Sequence, residues 1–414
     1  MVNFYVNPDK LQAHLLRISP EDREPIVEFC DGCRRLQRLD FEQIFMAPTK
    51  LTPWLERLKF ALSLFGHFKF LGNASETNIN EFVSRFKSPL LREAFKYVFF
   101  VETSLPLVPH YTTLSTAWKG NAGFPEGGSL GIAMSVARRY EQLGGEIIYS
   151  KRIKKILVER NRAIGVQFDD GSCDFADIVI SACDGRTVVY DMLDGKYVDK
   201  SIDTLYNEYA KEPHIISGIV AVFLGVDRTF PMMPHSVTHL LTDAELSGLP
   251  APAVNSICIQ NRTKYDHGFA QPGKSVVYAW YSTSYDFWSR AYENQDTYKA
   301  EKARASEFVI QRLERTYPEI RSQIEVTDVS TPMTMVRYTG NHRGSIACWK
   351  PFSGAEHIAE KFGNSGMKLP GLDNFYMSGQ WTLVGGLIRA VSSGRFAIQF
   401  ACRDDGKKFR TQEN

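Results

Sequence analysis

With 414 residues, 43% hydrophobic and 23% charged, the chain has a globular composition and room for two or three structural units, each with its own core. A formal net charge of +2 gives no footing for a nucleic-acid surface, which calls for a basic excess. Seven scattered Cys, an odd number, argue against a disulfide framework and fit a reducing, cytoplasmic compartment.

The chain opens with Met1-Val-Asn-Phe-Tyr-Val-Asn-Pro8, which has no apolar core of a secretory leader. The first 120 residues read as mostly helical. Ser19-Pro20 with Asp22 is a helix start: Ser can cap, Pro suits the first turn, and the acid suits the positive helix end. Ile26, Phe29, Cys30, Cys33 and Leu36 follow on one face. Cys30 and Cys33 form a CxxC without a second pair or a His cluster, so they read as small buried hydrophobes and not as metal or redox residues; no metal ligand set is expected. Pro53 opens a second amphipathic helix with Trp54, Leu55, Leu58, Leu62 and Phe65 apolar and Arg57, Lys59 and Lys69 flanking. Two readings stand for it: a core helix of a cap, which is favoured, or a helix that docks on a bilayer as a peripheral membrane contact. Ser88-Pro89 opens a third helix, with Leu91, Phe95, Val98 and Phe99 apolar. His110, near Trp118, reads as a satisfied surface histidine.

From Gly127 the pattern becomes α/β. Gly123-Phe-Pro-Glu-Gly127-Gly128-Ser129 leads into a helix that ends at Gly144-Gly145. Ile147 to Tyr149 reads as a short strand. Ile153 to Glu159 and Ala163 to Phe168 read as strands around a polar turn, and Asp169-Asp170-Gly171 as a hairpin turn. Asp177 to Ala182 is a continuous apolar run, expected to be a strand buried on both faces. Ile215 to Gly225, Ala253 to Gln260, Val276 to Tyr281 and Gln323 to Val329 read as strands, and Tyr298 to Tyr317 as an amphipathic helix. The longest apolar run, Ile215 to Val226, is about half of what a membrane span needs. The last unit is a strand at Phe375 to Ser378, a glycine turn, and a helix from about Ile388 to Cys402. Two glycosylation sequons, at Asn73 and Asn261, read as chance matches.

The C-terminal unit carries the chemistry. A strand ends at Ser378-Gly379, Gln380 offers an amide, Gly385-Gly386 permits a close approach of backbone to a flat ligand, and a helix N-terminus follows that favours negative charge. The alternative is a plain strand–loop–helix with a flexible glycine pair. The ordered set from Gly123 through Ala176-Asp-Ile-Val-Ile-Ser-Ala182, Thr331-Pro332, Arg337-Tyr-Thr-Gly-Asn341 and Gly344-Ser345 to Asn374-Phe-Tyr-Met-Ser-Gly379-Gln380-Trp381 resembles the phytoene desaturase and carotenoid isomerase family of FAD-dependent oxidoreductases. The resemblance runs from Asn7 onward.

That resemblance implies an α/β (α+β mixed) fold: an incomplete FAD-binding, Rossmann-like parallel sheet plus a substrate domain of mixed or antiparallel sheet with a helical cap. The expected segments are a cap at 1–119, an FAD-domain segment at 120–200, a substrate domain at 201–364 and a second FAD segment at 365–414. It implies FAD as cofactor, with Ile153 bracketing the adenine and Ser181 and Ala182 beside the dinucleotide. Gly379 and Gln380 would lie by the pyrophosphate and ribityl chain, Gly385, Gly386 and Leu387 at the flavin, and Ala390 near the ring's O2 edge. Two departures stand out. Relatives carry a Gly-x-Gly-x-x-Gly turn that holds the diphosphate, and none occurs in these residues, so FAD binding is expected to be weakened or to depend on such a segment. Many relatives have three glycines and Leu-Pro where this chain has Val384-Gly-Gly-Leu-Ile-Arg389.

No catalytic acid or base is assigned, because hydride transfer needs mainly orientation and a dry site. Arg337, Tyr338, Asn341 and His342 are the polar group expected nearest a substrate cavity, with a structural hydrogen-bond cluster as the alternative. The expected activity is desaturation, saturation or isomerisation of a long apolar polyene or lipid by an N-terminally truncated flavoenzyme. The alternative is a non-catalytic remnant or subunit that binds lipid or a partner chain, the partner covering the open sheet edge that Asp177 to Ala182 would present. A natural chain that starts further upstream is the third reading.

Overall fold

The computed structural model describes residues 1–39, 48–97, 105–209, 218–349, 367–382 and 386–411. The chain divides into two compact units. One comprises Met1–Gln37, Thr77–Ile147 and Ser217–Tyr338; the other comprises Arg38–Glu76, Ile148–Ile216 and Thr339–Asn414. In chain order the described strands are β1 (Ile153–Glu159), β2 (Arg162–Phe168), β3 (Cys173–Phe175), β4 (Val179–Ser181), β5 (Ile219–Val226), β6 (Ser236–Leu240), β7 (Ser256–Asn261), β8 (Ser275–Ser282), β9 (Ile324–Ser330) and β10 (Phe375–Met377). The fold is mixed α/β, as expected, with parallel and antiparallel sheets.

The first unit is built on a five-stranded antiparallel sheet in the order β6-β7-β8-β5-β9. Period-two alternation sorts β5: Val220, Val222 and Leu224 pair with Tyr281, Ala279 and Val277 of β8, and all six are buried. That face packs on Trp288 of the Tyr285–Tyr292 helix and on Ala305, Val309 and Leu313 of the Gln295–Glu314 helix. Burial of each large aliphatic contributes about 1.5–3 kcal/mol. The opposite face is less covered. It presents Phe223 opposite Tyr278, their rings 5.0 Å apart, with half-buried Trp280 opposite Ala221.

The helices of this unit gather around Phe29, whose ring meets Phe95 at 4.8 Å and Tyr111 at 5.2 Å. Ser19 takes a role other than the expected cap. Its hydroxyl donates to Asp22 at 2.8 Å, and Asp22, fully buried, accepts the backbone N–H groups of Lys87 (2.5 Å) and Ser88 (3.0 Å). Cys30 and Cys33 are buried thiols, and burial raises the Cys30 pKa to about 12. His110 is buried and not a surface residue as expected: Nδ1 meets the Pro106 carbonyl at 3.0 Å, and desolvation lowers its pKa to about 4. Asn261 is buried as well, its amide bonded to the Phe230 carbonyl at 3.3 Å, so this sequon holds no accessible asparagine. Val98 and Phe99 of the third predicted helix lie outside the described residues.

In the second unit β1, β2 and β3 form an antiparallel sheet. The β1–β2 turn holds Arg160 and Asn161 at φ 48° and 61°, the paired positive angles of a tight hairpin. β4 and β10 form a parallel pair with Val179 opposite Phe375 and Ser181 opposite Met377. The Leu387–Asp404 helix packs Phe396, Ala397, Phe400 and Ala401 with Met367 and Tyr376.

Two expectations meet a different outcome, and one helix is barer than its apolar residues suggest. β4 is buried on one face only: Val179 and Ser181 are covered, whereas Ile178 and Ile180 are 36% and 38% exposed. A parallel strand becomes apolar on both sides when helices cover both faces, and among the described residues none covers this one. Ile147 to Tyr149 forms no strand; an extended segment needs a ladder partner for its backbone groups, and none is described beside it. The Gly128–Gln142 helix forms and ends at Gly144 (φ 88°) as expected, yet it has no buried residue, and Val136, Tyr140 and Leu143 are exposed.

Candidate functional site

The site grows from the carboxyl ends of the parallel pair, where open α/β sheets bind ligands. The Ser378 N–H donates to the Ser181 carbonyl at 2.7 Å, which extends the β4–β10 ladder by one bond. The chain then turns at Gly379 with φ +87°, a conformation that L side chains rarely adopt. A Cβ at this position would stand 3.3 Å from the Ala182 carbonyl oxygen. The turn is tied on both sides. The Gly379 N–H donates to Ser393 Oγ at 2.7 Å, and the Gly379 carbonyl accepts from Thr382 Oγ1 at 2.9 Å. Ser393 is fully buried on the Leu387–Asp404 helix, and its hydroxyl also donates to the Ala390 carbonyl at 2.5 Å.

Of the residues named from the family resemblance, the structure brings Ser181, Ala182, Gly379, Gln380 and Ala390 around this one turn. Ser393 joins them, and sequence reading missed it. Its only signal was its place in the Ser393-Gly394-Arg395 run, because a helical serine carries no mark of which neighbour it will meet. Gln380 is half-buried, and its amide has no hydrogen-bond partner among the described residues. Gly386 precedes the helix at φ 131°, and its carbonyl accepts from the Ala390 N–H at 3.0 Å. Leu387, Ile388 and Val391 lie exposed on the first turns. Gly385 lies outside the described residues. Ile153 stands apart from this turn at the start of β1, half-buried and opposite Phe168.

The polar residues expected near a substrate are placed as follows. Asn341 donates to the Ser345 carbonyl at 3.0 Å and accepts from the Trp381 indole at 3.3 Å. The His342 backbone N–H donates to buried Asp184 at 2.9 Å. Arg337 donates to the Tyr338 hydroxyl at 2.7 Å, and Tyr338 is exposed. Among the described residues no cluster of His, Cys, Asp and Glu has the make-up of a metal site.

These residues fit the ring end of a flavin. The helix beyond Gly386 has first-turn N–H groups with no partner inside the helix, which favour negative charge. Gln380 brings an amide with no partner among the described residues, and Leu387, Ile388 and Val391 give an apolar surface. The diphosphate end lacks a Gly-x-Gly-x-x-Gly turn in this sequence.

The model of the flavin-containing amine oxidoreductases matches residues 13–398. The chain is 25% identical to the chloroplastic prolycopene isomerase of Daucus carota over 340 residues, which cover 79% of this chain and 52% of that one. It is 23% identical to the all-trans-retinol 13,14-reductase of Danio rerio over 430 residues, covering 94% of this chain and 67% of that one. It therefore spans about half the length of the prolycopene isomerases it matches. An oxidoreductase from Methanosarcina mazei shares the fold at a TM-score of 0.53 with 18% identity, covering 85% of this chain and 74% of that one. A putrescine oxidase variant shares it at a TM-score of 0.52 with 12% identity, covering 91% and 76%. With nearly its whole length matched by the family model, the chain belongs to the flavin-containing amine oxidoreductase family.

Proposed function

We propose that this chain is part of an FAD-dependent oxidoreductase that desaturates, saturates or isomerises a long apolar polyene or related lipid. The observation that carries the reading is the tied turn: Gly379 lies against Ala182 and bonds to Ser393, at the carboxyl ends of the parallel strands and beside the helix that starts after Gly386. When bound, FAD supplies hydride transfer to or from the substrate. Gly379 and Ala182 would give the dinucleotide a bare backbone surface, Gln380 an amide for its ribityl chain, and Gly386, Leu387 and Ala390 a seat for the ring. Ile153 would bracket the adenine. The half-covered face of the antiparallel sheet, with Phe223, Tyr278 and Trp280, is suited to an apolar chain. Such a substrate resides in membranes, so peripheral contact of a cytoplasmic chain with a bilayer belongs to the same reading. Titration of the purified chain with FAD, followed by flavin fluorescence, tests it. Saturable binding is expected, and a chain that takes up no flavin sinks it.

One observation favours a second reading, a chain that binds lipid or a partner without redox turnover. Among the described residues β4 pairs only with β10, and Ile178 and Ile180 stand half-covered beside the open edge. Such an edge invites an added strand, from residues beyond this sequence or from another chain. Amide hydrogen exchange separates the two states of the edge. The Ile180 amide, which alternation turns away from β10 while the Val179 N–H donates to the Asn374 carbonyl, is expected to exchange quickly in the isolated chain and at least about tenfold more slowly once a strand is added. Equal rates in both would remove the partner idea.

A further inference from the structure

The Trp54–Ser63 helix has no buried residue. The sequence favours a core helix here, and the structure puts its apolar side in solvent. At the helical period Trp54, Leu55, Leu58 and Leu62 fall on one arc about 100° wide. With Phe65 and Phe68, which follow the helix, they range from 49% exposed at Leu58 to 80% at Phe65. Phe60 and Leu64 lie on the other side and are half-buried. The base is anchored: Leu51 packs against the cluster of Phe396 and Tyr376, and Arg403 donates to the Lys50 carbonyl at 2.7 Å. The apolar arc is therefore held outward by a fixed base.

Soluble chains rarely expose so many large apolar side chains in one contiguous patch without a partner. The charge around the patch identifies the partner's chemistry. Between Pro48 and Glu76 the sequence has Lys50, Arg57, Lys59 and Lys69 against Glu56 and Glu76 only, and Lys50, Lys59 and Lys69 are exposed. An apolar arc with a Trp at its start and basic residues at its flanks complements the boundary between acyl chains and anionic headgroups.

We propose that this segment is a docking surface for an anionic lipid bilayer, with Trp54, Leu58, Leu62 and Phe65 entering the interface and Lys59 and Lys69 meeting the headgroups. The docking rests on the proposed function for its purpose, access to a bilayer-borne apolar substrate, and not for its physics. Flotation requires no flavin, so its failure is distinguishable from a failure of the flavin titration.

The experiment is flotation of the purified full chain with phosphatidylcholine vesicles, with and without phosphatidylglycerol. The chain is expected to float with the mixed vesicles. The Trp54→Ser/Leu58→Ser variant should lose at least about tenfold in partition on both compositions. The Lys59→Glu/Lys69→Glu variant should lose about tenfold on the mixed vesicles and be unchanged on phosphatidylcholine alone. All four side chains are exposed, so both variants are expected to melt as the parent does. No flotation with the mixed vesicles overturns the proposal, as does flotation that neither variant weakens. A parent that runs as a dimer and becomes monomeric in the Trp54→Ser/Leu58→Ser variant also overturns it, because a second copy would then be what covers the helix.

Discussion

Gly379→Val is expected to reduce FAD affinity about a hundredfold, equivalent to about 2.7 kcal/mol of binding free energy. Two effects combine at this position. The backbone stands at φ +87°, which costs an L residue about 1–2 kcal/mol and a β-branched one more. The new Cβ would also stand 3.3 Å from the Ala182 carbonyl oxygen, a backbone atom that cannot swing aside, and its methyl groups would reach further. The turn must then move, breaking the bond from the Gly379 N–H to Ser393 that fixes it against the helix. Gly379→Ala carries the φ strain with a tight but tolerable contact and should lose about tenfold, or about 1.4 kcal/mol. Fluorescence titrations of the three proteins give the ranking. A valine variant that binds FAD as the parent does would remove this turn from the cofactor site.

Asp22→Ala is expected to destabilise the unit that contains it by about 3 kcal/mol, read as a fall in the urea midpoint of the helical signal. The carboxylate is buried and accepts three hydrogen bonds, from the Lys87 and Ser88 backbone and the Ser19 hydroxyl, and truncation leaves those donors without it. Burial alone raises a carboxyl pKa; here the backbone N–H groups of Lys87 and Ser88 and the Ser19 hydroxyl outweigh it and hold Asp22 below its ordinary value. A folded-state pKa below the unfolded one means that the unfolded chain binds the extra proton. The contribution is therefore complete above the unfolded carboxyl pKa of about 3.9 and is lost as pH falls through the lower folded value. Asp22→Asn keeps much of the shape and should abolish this part of the acid sensitivity. A parent and an Asn variant that lose stability in parallel below pH about 4 would show that Asp22 is not its source.

Most of the β-strands and the long Gln295–Glu314 helix were legible because their periods are local, whereas β3 and β6 were not read from the sequence. β5 and β8 alternate in register with their core, and the hairpin at Arg160-Asn161 is a property of a few adjacent residues. The glycine at position 379 was legible for the same reason, since a sharp turn after a strand marks its own sequence. The assembly of Ser181, Ala182, Gly379, Gln380 and Ala390 was legible as a family pattern, which ties distant segments together without any calculation of contact.

What covers a face was not legible. The apolar arc of Trp54–Ser63 and the run from Asp177 to Ala182 read as core, and Gly128–Gln142 also carries apolar residues, but composition and period say only that a face is apolar and are silent on what lies over it. Burial depends on segments far away in the chain, and here the described residues leave all three partly or wholly bare. Ser19, His110 and Ser393 teach the same lesson one side chain at a time. Each is polar and each is buried, held by partners that include Asp22, the Pro106 carbonyl and the Gly379 N–H. Local order, turn chemistry and family membership were thus present in the residue string. The partners of Asp22, the lock that Ser393 places on the Gly379 turn and the outward face of the Trp54 helix were set by tertiary packing, because only folding brings residues separated by tens or hundreds of positions within hydrogen-bond reach and decides which apolar surface stays in water.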